Sequence, residues 1–439
     1  MAFVESVWWM LVLIGIMIVI HELGHYWAAR YFDVKIDAFA IGFGPRLFGI
    51  RRGETDWKVC AIPFGGYVKM AGAEHGEDSQ DPRGFMNKPR YQRMIIAIAG
   101  PFMNILLALV LMAVLFSMQF PKAIYMDQAA KVGSIVPDSA AAKAGIRAGD
   151  VIVRIEDQAN PTWSDVNLAS LENINRPVSL VLSREGQTLP LQITPKHTDA
   201  TGLESLGWQP DSDVVIGRVD PDLDAAKQGL KMGDQVVSIN GDAVRAPYAL
   251  VDKVRNSKGQ PIIIAYRRAG KDATVTVTPI SKKIAELPNA VFMIGVAAIP
   301  ASKNVQLSPI DAIKESASVN WKNASLIYSV LRSIFEARLS PKTIEGPVRM
   351  AQMSRQAAKE GFDSYVSLMS GVSLNLAIFN LLPIPILDGG VILMLLIEMV
   401  ARRDLSLRLK EMVFTVSFVF LISLVAFVLY NDIQKVLKS

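Results

Sequence analysis

Residues 7–29 read VWWMLVLIGIMIVIHELGHYWAA. At about 20 residues per crossing, the stretch is long enough to span a bilayer as one helix. Its only acidic or basic side chains are His21, Glu22 and His25. Residues four apart share a helix face, so the two imidazoles point the same way. Together they can hold a zinc ion, and Glu22 stands where it can take a proton from a metal-bound water. Ionisable groups at membrane depth are costly unless paired or functional. The rival reading is a soluble core helix with two satisfied histidines, and it does not account for so long an apolar flank.

Three further apolar runs approach span length: Met94–Phe120, Val366–Val400 and Met412–Leu429. The 51% hydrophobic share of the 439 residues is near ordinary globular usage, so clustering is what marks a membrane protein. A formal charge of +5 gives no case for nucleic acid. The one cysteine, Cys60, excludes an intrachain disulfide and reads as a packing residue. Residues 1–6 carry no Lys or Arg, unlike a cleaved signal peptide, so the first span is expected to stay. Between spans one and two, Lys and Arg recur from Arg30 to Arg93, and that excess marks the cytoplasmic side. Both termini are then outside, with His21 and His25 at the cytoplasmic end of their span.

Within this connection Asp56–Ile62 alternates polar and apolar, a strand signal, and Pro63–Met70 follows with a turn and a second strand. A β-hairpin or small sheet beside the membrane is expected. Two readings stand side by side: an exposed edge that takes an extended substrate segment as an added strand, or a plain structural hairpin. Span two opens on Gly100-Pro101, where glycine permits close helix approach, and Asn104 is a polar group needing a partner. His75, in the acidic stretch Glu74–Asp81, and His197 read as a solvated residue and a linker residue.

Residues 122–281 change character, with short Val- and Ile-rich runs punctuated by glycine. They repeat at an offset of 84. Gly133 to Asp138 aligns with Gly217 to Asp222, and Ala141 to Asp150 with Ala225 to Asp234. Each copy resembles a PDZ domain, a module that binds extended peptides by strand addition. Leu307–Leu339 has helical apolar spacing interrupted by Lys314, Glu315, Lys322 and Arg332, and reads as an amphipathic segment on the membrane surface. Gly346-Pro347 begins another helix through Lys359.

Val366–Val400 is too long for one straight helix. It is interrupted at Asn380–Gly390, where Pro383 and Pro385 remove backbone donors. Non-helical backbone at membrane depth is tolerated only in protein or beside a wet cavity, so Asp388 is a functional candidate. Arg402, Arg403, Arg408 and Lys410 follow, which brings Asp388 and the histidines to the same leaflet.

HExxH in one span, Gly-Pro-x-x-Asn in the next, PDZ-like repeats, and Asn-x-x-Pro-x-Pro-x-Leu-Asp-Gly in a third together resemble the site-2 protease family over nearly the whole chain. The resemblance implies an intramembrane zinc metalloprotease. By residue match, His21, His25 and Asp388 are its zinc ligands and Glu22 its base. Asn380 matches a substrate-holding residue, and Gly65, Gly66 and Tyr67 fall in the family's membrane-associated β-element. Implied substrates are transmembrane proteins already trimmed outside the membrane, such as an anti-sigma factor, and leftover signal peptides. The implied setting is the bacterial inner membrane and its lipid. A scaffold tethering partners through its PDZ pair explains the repeat but not HExxH with Asp388, and a metal transporter would need more intramembrane ligands.

The expected fold is a multi-pass α-helical membrane protein with four transmembrane helices, a membrane-associated β-hairpin or sheet and two soluble α+β PDZ domains. The spans are expected at 1–30, 94–120, 363–400 and 412–439, the repeats at 121–200 and 201–283, and the amphipathic part at 284–362. Residues 31–93 and 401–411 are the cytoplasmic connections.

Overall fold

Apolar runs without charge become helices because a helix satisfies its own backbone where no water can. The computed structural model describes residues 2–73, 81–195, 206–283, 290–340 and 346–438; His75 and His197 lie outside them. Among the described residues, four helices are long and apolar enough to cross a membrane: Phe3–Tyr31, Arg90–Ser117, Phe362–Asn380 and Arg408–Gln434. The chain divides into two units. One takes residues 1–119, 306–327 and 344–438, and the other takes 120–305 and 328–343.

The first unit is built on α1 (Ala2–Tyr31), α2 (Arg90–Ser117) and α5 (Phe362–Asn380). The helices between them are α3 (Pro309–Phe335) and α4 (Pro347–Glu360), and the last is α7 (Leu407–Lys438). Leu13, Met17 and Met369 are buried where α1, α2 and α5 meet. A polar seam joins α5 to α2, in which Ser370 Oγ donates to Ala108 O at 3.0 Å and Ser373 Oγ to Asn104 O at 2.9 Å. Residues 309–335 and 347–360 are helical, the second helix starting at Pro347.

The broken span is two pieces. α5 stops at Asn380, and α6 (Asp388–Ala401) begins after a turn at residues 381–387. Two prolines in seven residues leave too few donors to continue the helix. Gly389 and Gly390 let the turn fold back, since a Cβ on either would overlap the backbone of Leu382 or Pro385. Asp388 is the first helical residue of α6.

The β-element is larger than the pattern at Asp56–Met70 implies. It consists of β1 (Ile36–Arg52) and β2 (Thr55–Met70), joined at Gly53-Glu54. Pro63 lies within β2 and not in a turn between strands. Each strand bends, so Ala38 to Ile41 pairs on one side with Gly66 to Lys69 and on the other with Asp56 to Val59. Gly42 and Gly44, both at positive φ, make the bend in β1. Two strands thereby act as a four-segment sheet, and Gly66–Met70 is one of its edges.

The second unit contains two α+β modules whose cores repeat the 84-residue offset. Val132, Ile146, Ile152, Ile155, Val178 and Leu180 are buried in one; Ile216, Leu230, Val236, Ile239, Ile262 and Ile264 occupy the matching places in the other. The same lock recurs in each. Asp150 accepts two hydrogen bonds from Arg184 and one from the Arg147 backbone, and Asp234 accepts the same set from Arg268 and Lys231. Burial pushes each carboxyl up, but the guanidinium and the backbone N–H outweigh it and hold both below the usual aspartate range. Each module closes later than the repeat alone indicates. Trp208–Pro210 pairs with Val132–Ile135, and Val296–Pro300 pairs with Val214–Val219, so the modules run past residues 200 and 283.

Candidate metal centre

His21 and His25 lie one turn apart on α1, and their Nε2 atoms are 3.2 Å apart. Asp388, more than 360 residues later, sets Oδ2 3.1 Å from His21 Nε2 and Oδ1 3.4 Å from His25 Nε2. Among the described residues these form the one group of three His, Cys, Asp or Glu side chains placed to share an ion. Ligands at about 2.0–2.1 Å from a tetrahedral zinc stand roughly 3.3–3.4 Å from one another, so the observed triangle fits such a shell.

The hydrogen bonding points the same way. His25 Nδ1 lies 2.8 Å from Ile96 O, which only accepts, so Nδ1 carries the hydrogen. In the neutral ring Nε2 then presents a lone pair to His21 and Asp388. Two imidazole lone pairs and a carboxylate at this spacing repel unless a cation or a proton lies among them. Asn104, the polar residue of α2 that needed a partner, finds it here. Its amide nitrogen is 3.3 Å from His21 Nδ1, and its Oδ1 is buried without a hydrogen bond. Amide orientation is assigned from such networks, and turning this one over would let Oδ1 accept from a protonated Nδ1.

Glycines make the room. A Cβ on Gly100 would overlap His25 Nε2 and stand 2.9 Å from His21 Cε1. A Cβ on Gly24 would overlap Ala99 O, so that glycine sets how closely α1 approaches α2. Gly66 performs the same service for the sheet: its Cβ would stand 2.9 Å from Ala40 O and 3.2 Å from Glu22 Cγ. The Glu22 carboxylate faces both histidines and Asp388, and the Val68 backbone N–H donates to it. The Gly66–Met70 edge therefore runs past the candidate base.

A donor set of two histidines and an aspartate, with a glutamate beside it on HExxH, is the arrangement of a hydrolytic metal site. The sequence pattern of peptidase family M50 fits residues 9–424. The chain belongs to peptidase family M50. Protease RseP of Yersinia pestis is 30% identical over 447 residues, 97% of either chain. A putative zinc metalloprotease of Xylella fastidiosa (strain Temecula1 / ATCC 700964) is 31% identical over 98% of this chain and 99% of its own. The Regulator of sigma-E protease RseP of Escherichia coli (strain K12) is 28% identical over 97% of each. This M50 protein is thus a metalloprotease of the site-2 protease family.

Its other sequence candidates sit close by. The Asn380 amide nitrogen approaches His21 Nε2 at 3.5 Å. Gly65 has φ of +116°, and a Cβ there would overlap the Phe43 ring. Tyr67 stacks on Phe43 with ring centroids 6.1 Å apart, and Lys58 Nζ lies 5.4 Å from the Tyr67 ring centre. Gly65 and Tyr67 therefore have duties within the sheet itself. Sequence reading missed the Ile96 carbonyl behind His25, because a backbone acceptor leaves no signature in residue type.

Proposed function

We propose that this M50 protein is an intramembrane zinc endopeptidase in which His21, His25 and Asp388 hold the metal and Glu22 is the general base. The observation that carries the reading is the convergence of three donor atoms at 3.1–3.4 Å, from helices far apart in sequence, beside Glu22. A zinc ion held there would supply Lewis-acid activation of a water and of the peptide carbonyl. Glu22 is placed to hold the proton given up by the attacking water and to return it to the leaving amine. Ile96 O and Asn104 fix the two rings, so that each Nε2 keeps its lone pair for the metal.

The substrate is a transmembrane helix, whose amides are bonded internally and must be freed before attack. Pairing with the Gly66–Met70 edge replaces the bonds it loses, with Gly65, Gly66 and Tyr67 lining the strand and Asn380 holding the segment near His21. The excess of Lys and Arg between the first two spans and after the third supports a cytoplasmic position for this end of the helices, with both termini outside. The two repeated modules are PDZ domains on the outer side, and they exclude chains with bulky outer parts. The regulator of sigma-E names among the relatives favour an anti-sigma factor as one substrate; a bacterial inner-membrane setting, trimming of that substrate beforehand, and remnant signal peptides as a second class are part of the proposal.

The test is digestion of a single-span substrate by the purified protein in liposomes, with product termini mapped by mass spectrometry. A cut inside the apolar segment is expected. Cleavage confined to residues outside that segment would overturn the intramembrane assignment.

A further inference from the structure

A second cluster of ionisable groups lies at the N-terminus of α2, about one turn before Ile96, whose carbonyl accepts from His25. A shallow, open cleft of 560 Å³ lies between the N-terminus of α2 and the C-terminal end of α6. Lys88, Arg90, Tyr91, Arg93, Met399 and Asp404 line it. Arg90 pairs with Asp404 at 3.0 Å, which leaves Lys88 and Arg93 as the cations of this lining without a close carboxylate among the described residues. Behind them Glu398 is fully buried and already engaged by Lys410 at 2.6 Å.

Arg93 is the telling residue. It is 6% exposed, and a guanidinium cannot shed its charge by deprotonation. Its hydrogen-bonding partners are poor. Nη1 reaches only the Met86 sulfur at 3.2 Å, and Nη2 stands 3.8 Å from both Glu398 and Asp404. Nε has no hydrogen bond. Closing the gap to Glu398 would satisfy Nη2 and still leave Nε without an acceptor. A buried guanidinium in this condition calls for a planar or tetrahedral oxyanion able to accept two bonds at once. The α2 N-terminus, whose first amides lack helical partners, adds to the same demand.

The surroundings select the source of that anion. Tyr91 and Met399 line the cleft and are exposed, and Leu396 and Val400 of α6 and Ile95 of α2 are exposed apolar side chains on the same two helices. Cations bordered by an aromatic residue and an apolar helix face match a headgroup and its acyl chains, not an ion free in water. We infer that this cleft binds the phosphodiester of an anionic membrane phospholipid, with Arg93, Arg90 and Lys88 on the phosphate and the chains along α2 and α6. The lipid would brace α6, the helix that carries Asp388. The inference rests on the reading that these helices lie in a bilayer.

The experiment uses the full chain in phosphatidylcholine nanodiscs containing a minor fraction of phosphatidylglycerol. Incorporation into discs tests the membrane reading first and separately. Lipid retained after gentle release is then counted by native mass spectrometry. Wild type is expected to keep one phosphatidylglycerol in preference to phosphatidylcholine. Lys88→Ala with Arg90→Ala should weaken that preference roughly 30-fold, at about fivefold per cation near a membrane surface. Asp404→Asn, which removes the competing carboxylate, should strengthen it. The inference is overturned if wild type shows no preference, if the double variant retains the lipid as well as wild type, or if inorganic phosphate alone displaces it.

Discussion

Gly100→Ala is a small change with a sharply signed outcome. The new Cβ would stand 2.6 Å from His25 Cε1 and 2.9 Å from His21 Cε1. Carbons meet comfortably at about 3.5–4.0 Å, so both rings must retreat by roughly 0.6–1 Å. Metal–ligand distances tolerate only about 0.2 Å. Overpacking of this kind costs about 1–3 kcal/mol, which corresponds to roughly 5- to 150-fold weaker zinc binding. An ordinary helical glycine behaves in the opposite way, since alanine there stabilises by about 0.5–1 kcal/mol. The assay is competition for zinc against a chromophoric chelator in detergent, with thermal unfolding of the zinc-free protein alongside. Zinc affinity equal to wild type, together with a raised unfolding temperature, would refute the claim that Gly100 is the space in which the imidazoles converge.

Other outcomes follow from the same geometry. Asp388→Ala leaves two histidines to hold the ion, so zinc content after dialysis should fall together with activity; full occupancy would mean that another residue completes the shell. The depressed Asp150 and Asp234 carboxyls stabilise their modules above the ordinary aspartate pKa of about 3.9, and that contribution is lost as pH falls through the lower folded values. Hydrogen-exchange protection in Val151–Ile155 and Gln235–Ile239, relative to the intrinsic rate at each pH, should therefore fall below about pH 4, and Arg268→Gln should abolish the acid step in the second module only. Disrupting residues 122–281 should spare cleavage of a trimmed substrate and permit cleavage of an untrimmed one. Loss of trimmed-substrate cleavage in a membrane-intact variant would sink the size-filter idea.

The parts of this protein that were legible in its sequence are those written in local spacing. HExxH fixes two groups on one helix face, the close pair of prolines at 383 and 385 removes two backbone donors and interrupts the helix, and an 84-residue repeat copies a core position by position. The remainder depends on meetings that spacing does not encode. Ala38 pairs with two segments of β2 because both strands bend, and nothing in the alternation at Asp56–Ile62 reveals the second pairing. The strand that closes the second module escapes the ungapped repeat because four more residues precede it, while its pairing register is the same. Gly207 O accepts from Val136 N, whereas Gly295 O accepts from Asp220 N, so the offset there is 88 and not 84. Asn104 and Gly100 were visible as a polar group and a small one in an apolar helix. That both serve His21 emerges only when α1 lies against α2. Arg93 and Glu398, about 300 residues apart, face each other for the same nonlocal reason.

The central claim is that Glu22 acts on a metal held by other residues, and Glu22→Gln tests it most directly. Zinc per chain and cleavage of a single-span substrate are measured on one preparation of each protein. The variant should hold as much zinc as wild type, while cleavage falls by about 10²- to 10⁴-fold, the usual range for loss of a general base. Near-normal cleavage with zinc retained would remove Glu22 from the mechanism, and loss of zinc would make it a ligand instead of a base.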